Sequence, residues 1–415
     1  MKTNKILLLA FISVFVFTGT GFSQWTLINS GTTQTLRSIY QMNSDLVFAV
    51  GDNGTFIITT NGGQTWNSYP TGLSENLNSV SFLNPNRGVA CGNSGKIIQT
   101  FNGGLNWSTV SSGVKDDLKA ISFFIVRGVC TGSSGTILHS SWAGEEWKIA
   151  QTGFFNVFYG TEMFDETIAY VCGVNSIFQP FVGKSTDAGA NWSFTNFYLN
   201  GNEGGLLDID FISENEGFAS AFVFDGQGAV SYTSNGGANW SSQLFPSRLN
   251  SIDMATNLTG YCAGDNGLII RTTNKGLTWN TQTTPLSVNL RSIDFTDSLT
   301  GFAVGDDGVI LKTNTGGVTS INNENSIADK FTLSQNYPNP FNPVTIINYK
   351  LQTKDYVLLT VSDITGRNLK TLVSKTLSAG SYSVTFDGGE FSGGVYLYTL
   401  KNVGRSVTKK FVLLK

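Results

Sequence analysis

Short runs of apolar and alternating residues, separated by glycine-rich turns, follow one another along most of the chain. In one stretch, residues 77–82 alternate, residues 88–92 are apolar and residues 96–100 form a third run. Two glycines and Trp107 come next, so the stretch is interpreted as four short strands divided by turns. The pattern predicts an all-β protein.

The same unit returns about every forty residues, and such a period is typical of repeat architectures. The units are marked by tryptophans, at Trp25, Trp66, Trp107, Trp147, Trp192, Trp240 and Trp279. Their inner strands are predicted to begin at Leu36, Leu77, Leu118, Phe154, Leu206, Leu249 and Leu290.

The two ends of the repeat are complementary. The last unit has no tryptophan strand of its own, and Trp25 has no unit before it. We therefore expect residues 25–28 to supply the outer strand of the seventh unit, which would close the ring and remove an exposed edge. The predicted fold is a seven-bladed β-propeller.

Two kinds of turn recur in the units. Asp-Asn-Gly, as at residues 52–54, accepts the positive φ angles of tight hairpins, whereas a calcium loop would need a longer series of acidic residues. The turn after the third strand, as at residues 60–66, resembles the Asp-box or BNR repeat of bacterial neuraminidases and related propellers. The resemblance implies a structural role for the following residues: Asn61, Trp66, Asn102, Trp107, Asp187, Trp192, Asn235, Trp240, Asn274 and Trp279.

The domain organisation follows from composition. A positive start, a short apolar run and small residues near position 23 predict a cleaved signal peptide over residues 1–23, with a retained N-terminal anchor as the alternative. No later run is long enough to span a membrane. We expect the propeller at 24–320, a polar linker at 321–330 and a small Ig-like β-sandwich at 331–415. The protein is therefore expected to be exported.

Charge is divided unevenly between these parts. Residues 24–320 hold 13 Lys and Arg against 23 Asp and Glu, a net of −10, and residues 329–415 hold 11 against 5, a net of +6. The acidic propeller argues against nucleic-acid binding. A single histidine and the absence of a phosphate loop argue against a metal site, a catalytic triad or a cofactor.

The four cysteines occur within apolar strands. Cys91 and Cys172 share one repeat register, and Cys130 and Cys262 share another, so neighbouring blades are not expected to offer matched pairs. Buried free thiols are favoured, although an exported protein also permits a disulfide.

The tail contains a distinctive phrase at residues 333–343, followed by residues 361–367 and 392–396. These segments resemble the type A sorting domain of the type IX secretion system, with Ser362 where many relatives have an aromatic residue. The resemblance implies a partner, the type IX secretion machinery, and passage across the outer membrane. An adhesive Ig-like domain is the alternative. The sorting residues that the resemblance to the sorting domain implies are Tyr337, Pro338, Asn339, Pro340, Phe341, Asn342 and Pro343.

The clearest propeller unit, residues 301–313, resembles the photosystem II assembly and stability factor family. That resemblance implies a platform for protein contacts, secreted or on the cell surface. The predicted ligand is a protein or glycan. It is expected to bind at one equivalent inner-strand position in each blade, and Phe155 and Leu207 occupy this position in two of the blades. These binding candidates are Arg37, Asn78, Lys119, Asn250 and Arg291, which alternatively only solvate strand ends.

An Asp-box glycoside hydrolase, sialidase-like or xyloglucanase-like, is the alternative function. Asp210, Asp253 and Asp294 share one register, and neighbouring inner strands can hold carboxylates at the separation of inverting enzymes. The arginine triad of sialidases is not recognisable, and the same aspartates can instead bond backbone groups near the channel. The sequence favours a non-catalytic module.

Overall fold

A computed structural model describes residues 24–150, 152, 156–318, 332–351, 355–363, 367–378, 380–402 and 405–414. The predicted signal peptide and the predicted linker lie outside these residues. The chain divides into two compact units, residues 1–319 and 320–415. No helix in the described ranges is both long and apolar enough to cross a bilayer.

The first unit is a seven-bladed propeller of four-stranded antiparallel sheets, as predicted. The chain begins with β1 (Thr26–Ile28). Blade one contains β2 (Leu36–Gln41), β3 (Val47–Gly51), β4 (Phe56–Thr59) and β5 (Asn67–Ser68). Blade two contains β6 (Leu77–Phe82), β7 (Gly88–Gly92), β8 (Ile97–Thr100) and β9 (Ser108–Val110). Blade three contains β10 (Leu118–Phe124), β11 (Arg127–Gly132), β12 (Ile137–Ser140) and β13 (Lys148–Ile149).

The later blades repeat this order. Blade four contains β14 (Val157–Met163), β15 (Ala169–Val174), β16 (Pro180–Ser185) and β17 (Ser193–Asn196). Blade five contains β18 (Gly204–Phe211), β19 (Gly217–Val223), β20 (Gly228–Thr233) and β21 (Ser241–Phe245). Blade six contains β22 (Leu249–Asp253), β23 (Gly260–Gly264), β24 (Ile269–Thr272) and β25 (Asn280–Gln282). Blade seven contains β26 (Leu290–Phe295), β27 (Gly301–Gly305) and β28 (Ile310–Thr313).

The ring closes between the two ends of the repeat, and this confirms the expected closure. β1 pairs antiparallel with β28, with Leu27 opposite Leu311. Trp25, which precedes β1, is fully buried and packs edge-on against Phe295 at 5.8 Å between ring centroids. The first strand therefore completes the last blade and removes an unpaired edge.

Apolar clusters between neighbouring blades form the core of the propeller. All four cysteines are buried and free. Free buried thiols are as predicted, and although Cys91 and Cys130 differ in register they are neighbours within one apolar cluster between blades two and three. Because successive residues of a strand point to opposite faces of its sheet, a difference of one position in register lets Cys91 and Cys130 face the same interblade cluster.

The second unit contains a three-stranded and a four-stranded sheet. Its strands are β29 (Thr332–Leu333), β30 (Val344–Leu351), β31 (Asp355–Ser362), β32 (Asn368–Leu377), β33 (Gly380–Asp387), β34 (Gly394–Asn402) and β35 (Arg405–Leu413). Alternate residues from both sheets form one buried core. This agrees with the predicted sandwich.

The sorting segment is attached to this sandwich by both side chains and backbone. Phe341 is buried in the core, while the backbone N–H of Val412 donates to Asn339 Oδ1 at 2.9 Å. The neighbouring Asn336 donates through Nδ2 to Thr345 Oγ1 at 2.9 Å. Tyr337 is 80% exposed, so the segment also presents an aromatic ring to solvent.

Candidate binding site at the channel mouth

A β-bulge near the start of every inner strand forms the mouth of the central channel. In blade one, Leu36 pairs with Gly51 and Ser38 with Val50, which leaves Arg37 as the extra residue. The same shift recurs in the other six blades. Because a bulge redirects the extra side chain, one residue per blade lines the mouth. These mouth residues are Arg37, Asn78, Lys119, Tyr159, Leu207, Asn250 and Arg291.

The structure corrects the sequence prediction in blade four. Phe154 and Phe155 lie outside the described residues, and the inner strand begins later, at Val157. Phe158 pairs with Gly173 as Leu36 pairs with Gly51, so Tyr159 takes the position assigned to Phe155. The sequence contains two aromatic pairs in succession, Phe154–Phe155 and Phe158–Tyr159, and both fit the repeat pattern. The hydrogen-bonded register between β14 and β15 shows that the inner strand uses the later pair.

The three predicted cations at the mouth each have an acidic partner. Arg37 binds Asp52, and Arg291 donates to both carboxylate oxygens of Asp306 at 2.8 Å. Lys119 lies 3.3 Å from Asp117. Asp52 and Asp306 lie in the turns that follow second strands, whereas Asp117 immediately precedes the inner strand of blade three. These carboxylates neutralise much of the expected positive patch, while the cations remain partly exposed to a partner.

The two asparagines at the mouth also hold neighbouring blades together. Asn78 donates through Nδ2 to Leu118 O at 2.6 Å, and Asn250 donates in the same way to Leu290 O at 2.8 Å. In each case the acceptor is the first residue of the next inner strand. These contacts satisfy carbonyl groups beside the bulge, so both residues have a structural role besides lining the mouth.

Arg248 was not predicted, yet it is the cation at the mouth that lacks an acidic partner among the described residues. Its Nε donates to Asn250 Oδ1 at 2.9 Å, and its guanidinium lies over the ring of Phe222, 4.9 Å from the centroid. Burial lowers the pKa of Arg248, while Asp265 acts in the opposite direction. An arginine remains charged in this setting, so it is available to an anionic group.

Below the mouth, side-chain oxygens join successive inner strands. Ser38 Oγ accepts from Val80 N at 3.3 Å, and Ser292 Oγ accepts from Ile39 N at 3.3 Å across the closure. In blade five an aspartate replaces the serine, and Asp208 Oδ2 accepts from Ile252 N at 3.1 Å. The channel wall is therefore held by interblade hydrogen bonds.

The three aspartates proposed as catalytic lie deeper in the channel, and their oxygens bond backbone groups of the following blade. Asp210 Oδ2 accepts from Met254 N at 2.5 Å, and Asp294 Oδ2 accepts from Gln41 N at 2.5 Å. Asp253 likewise accepts from the backbone of Phe295. Glu162, which the sequence analysis missed, holds the equivalent position in blade four and accepts from Phe211 N at 2.8 Å.

Burial dominates the acid–base behaviour of these carboxyl groups. Desolvation raises the pKa of Asp294 to about 7 and that of Asp208 to about 6, while backbone hydrogen bonds act in the opposite direction. Burial and neighbouring carboxylates raise the pKa values of Glu162 and Asp253 as well. These groups are only partly exposed and largely surrounded by protein, so the charged form is disfavoured.

The turn after the third strand is stabilised by its own side chains. In blade one, Thr59 Oγ1 accepts from Gly63 N at 2.9 Å, and Asn61 Oδ1 accepts from Thr65 N at 3.0 Å. Asn102, Asp187, Asn235 and Asn274 make the same backbone contact in their blades. Trp192 and Trp240 donate through Nε1 to glycine carbonyls of their turns, whereas Trp66, Trp107 and Trp279 pack into interblade clusters.

In the described parts of the chain, no group of acidic, cysteine or histidine residues is arranged to hold a metal ion.

Two family models match separate parts of the chain. Residues 68–153 match the photosynthesis system II assembly factor YCF48, and residues 335–414 match the secretion system C-terminal sorting domain. The chain therefore combines a propeller that is similar to the YCF48 family over residues 68–153 with a secretion system sorting tail. The tail indicates export through that system.

Solved structures resemble the propeller. One, described as YCF48 bound to D1 peptide, is 22% identical with a TM-score of 0.59, covering 71% of this chain and 98% of that chain. YCF48 from Cyanidioschyzon merolae is 18% identical with a TM-score of 0.56, covering 70% and 98%. The WD40 β-propeller domain of Doa1 is 13% identical with a TM-score of 0.57, covering 71% and 97%. These structural likenesses establish the fold of the propeller. A comparison with curated protein sequences found no match to the chain.

Proposed function

We propose that this protein is an exported, non-catalytic binding module that holds an extended segment of a partner protein across the channel mouth. The observation that carries the proposal is the ring of bulge residues, which places one redirected side chain per blade around a cavity of about 600 Å³. Polar and charged groups occupy most of this ring, so it suits a partner that brings acidic and hydrogen-bonding groups.

The structural relative with a bound peptide supports a protein ligand rather than a glycan. That description concerns YCF48, and we extend it to this chain because the propeller folds are alike. The binding residues in the proposal are the predicted ones, Arg37, Asn78, Lys119, Asn250 and Arg291, together with Arg248. All six residues line the channel mouth and come from five of the blades, since Arg248 and Asn250 both belong to blade six.

The sorting tail supports delivery to the cell surface or the medium. In the proposal the signal peptide, residues 1–23, directs the chain across the inner membrane, and the tail engages the type IX machinery. In the proposal the turn after the third strand acts as a structural Asp-box in blades one, two, four, five and six. The propeller spans residues 24–320, and the sandwich begins at residue 331.

The hydrolase alternative receives less support from the contacts of its candidate residues. Asp210, Asp253 and Asp294 each accept a backbone N–H from the next blade, and this contact accounts for their presence without a reaction. A panel of glycan substrates provides a direct check. Hydrolysis that is abolished by Asp253→Asn would contradict the non-catalytic proposal.

The main test uses a surface array of synthetic acidic, neutral and basic peptides. We expect the full chain to retain acidic peptides, and the double substitution Arg37→Ala and Arg291→Ala to weaken retention at low ionic strength more than at high ionic strength. Thermal unfolding of the same variant verifies that the ring is intact. Equal retention by both proteins at both salt concentrations would assign these arginines to solvation of the strand ends.

A further inference from the structure

Blades four and five carry an aromatic surface beside the channel mouth. Its members, which we call the aromatic ledge, are Tyr159, Phe178, Phe222 and Phe224. Successive rings contact one another edge to face, at 6.3 Å for Tyr159–Phe222, 5.5 Å for Phe222–Phe224 and 5.3 Å for Phe178–Phe224. The ledge therefore runs outward from a mouth residue without interruption.

The ledge exists because these two blades depart from the repeat. In blade one the residue after the second strand is Asp52, which opens a short 3₁₀ turn and pairs with Arg37. Phe222 takes the corresponding position in blade five, where its strand continues to Val223. A ring thus replaces a carboxylate, and Arg248 stacks on that ring instead of forming an ion pair.

Local backbone features hold the ledge in place. Gly205 lies beneath Phe222, and a β-carbon at this glycine would come within 2.7 Å of the ring. The N–H of Gly204 donates to Phe178 O at 3.1 Å, which joins the hairpin of blade four to blade five. The rings are therefore supported from below and from the side.

Phe178 has no evident reason in folding to be aromatic. Its side chain is 56% exposed, and its φ of 62° lies in the left-handed region, which costs a residue with a β-carbon about 1 kcal/mol. Other blades place Asn53, Ser94 or Asn266 in that conformation at their turns. An exposed Phe at such a position points to contact with a partner.

The arrangement of the rings favours a polypeptide over a sugar. Neighbouring rings lie at 84° to 88° to one another, so the surface is ridged and offers gaps for apolar side chains. A pyranose ring would instead need a flat aromatic face. At the inner end of the ledge, Arg248 offers a guanidinium that forms no ion pair with the described residues, and this suits a carboxylate.

We propose that the aromatic ledge docks the apolar side chains of an extended polypeptide segment, and that Arg248 binds an acidic side chain of the same segment where it passes over the mouth. The inference rests on the proposed function and defines its partner further. The segment has acidic residues over the mouth, followed by aromatic or aliphatic residues over blades four and five. Specificity then comes from the order of charge and apolar character along the segment.

The test measures the affinity of the full chain for two synthetic peptides by fluorescence anisotropy. One peptide has acidic residues followed by aromatic and aliphatic residues, and the other has serine at each apolar position. We expect the first to bind about tenfold or more tightly than the second. The double substitution Phe178→Asn and Phe224→Ser should remove that preference, since both rings are more than half exposed and act by contact.

A matched control lies on the opposite face, where blade three exposes Ile125 and Trp142. Ile125 also has a positive φ, so Ile125→Asn with Trp142→Ser makes a comparable change in surface polarity and turn preference. This control variant should keep the peptide preference. Phe178→Asn should not lower the melting temperature, because Asn tolerates the left-handed conformation better than Phe.

The possible outcomes separate the inference from the proposed function. If both peptides bind the wild type and the ledge variant equally, the mouth binds peptides and the ledge inference is wrong. If the opposite-face control loses the preference as fully as the ledge variant does, the inference is also wrong. If acidic peptides do not bind the wild type at all, the proposed function fails and the inference fails with it.

Discussion

The role of a residue in this propeller depends on the position that it holds in the repeat and on the residues that surround that position. The position of Asp52 provides a carboxylate in blade one and a ring, Phe222, in blade five. The first choice neutralises a neighbouring arginine, whereas the second leaves Arg248 available to a ligand. The bulge residue differs as well, since Arg37 of blade one corresponds to Leu207 of blade five. Two changes within the repeat, together with Arg248 from blade six, therefore replace a structural ion pair by part of a candidate binding surface.

The channel carboxyl groups predict how stability depends on pH. Asp294 and Asp208 have pKa values of about 7 and about 6 in the folded protein, above those of an unfolded chain. Such groups bind more protons when folded, so their favourable contribution is complete below about pH 4 and is lost as the pH rises through about 7. We expect the melting temperature of the propeller to fall between pH 5 and pH 8.

The substitution Asp294→Asn tests the source of this dependence. Asparagine can still accept the N–H of Gln41 but cannot ionise, so the variant should gain stability at pH 8, by at most about 4 kcal/mol, gain about a third of that amount at pH 5 and change little below pH 4. Asp307→Asn, at an exposed turn, is the matched loss of one negative charge. Equal pH profiles for the wild type and Asp294→Asn would show that Asp294 does not titrate in this range.

The cysteines give a second test at this scale. Cys91 and Cys130 are neighbours, and burial raises the pKa of Cys130 and also those of Cys172 and Cys262. We expect negligible reaction with a thiol reagent in the native protein, and four reactive thiols after denaturation without a reductant. Recovery of two thiols fewer would indicate a disulfide between Cys91 and Cys130 in the exported protein.

At the scale of elements, the sequence predicted what the repeat imposes on every blade. The spacing of the tryptophans and apolar runs predicted seven sheets, and the unmatched Trp25 predicted the closing strand. Prediction was poorer where a blade departs from the repeat. The prediction began blade four too early, at Phe154, because the sequence contains similar aromatic pairs before and within β14. Only the register of strand pairing distinguishes Phe158 from Phe154.

The candidate site was predictable to a similar extent. The bulge residues share a register, so Arg37 and Arg291 were found by alignment of the units, whereas Arg248 precedes its inner strand and has no counterpart in the other blades. Asp52 and Asp306 were interpreted only as turn residues. Their pairing with arginines depends on the bulge geometry, which the spacing of residues does not reveal.

The closing strand predicts a large effect from a small deletion. β1 pairs along its whole length with β28, and Trp25 packs against Phe295 beneath it. Deleting residues 25–28 should lower the melting temperature of the whole propeller, because the seventh blade loses its outer strand and a large buried ring. A deletion of equal size in the predicted linker, residues 322–325, is the control. An unchanged melting temperature in the first variant would show that closure has another origin.

At the scale of the whole molecule, folding and export are assigned to different parts of the chain. Every sheet of the propeller is built from residues between Thr26 and Thr313, and the sorting tail forms its own two sheets with a separate core. Closure by β1 requires no strand from the tail. The binding surface can therefore form independently of the element that directs secretion.

Removing the tail tests this division. A chain that lacks residues 331–415 should fold, because its seven sheets and their interblade clusters remain intact, and it should accumulate in the periplasm because the type IX machinery no longer has a tail to engage. The measurement is the distribution of truncated and full-length protein between periplasm and medium, with protease resistance as the readout of folding.

The substitution Tyr337→Ser in the full chain is a less disruptive variant for the same measurement. It alters the exposed surface of the sorting segment without removing its core residue Phe341. Normal recovery of the truncated protein from the medium would contradict the sorting role, whereas a protease-sensitive truncated chain in the periplasm would show that the propeller depends on the tail for folding.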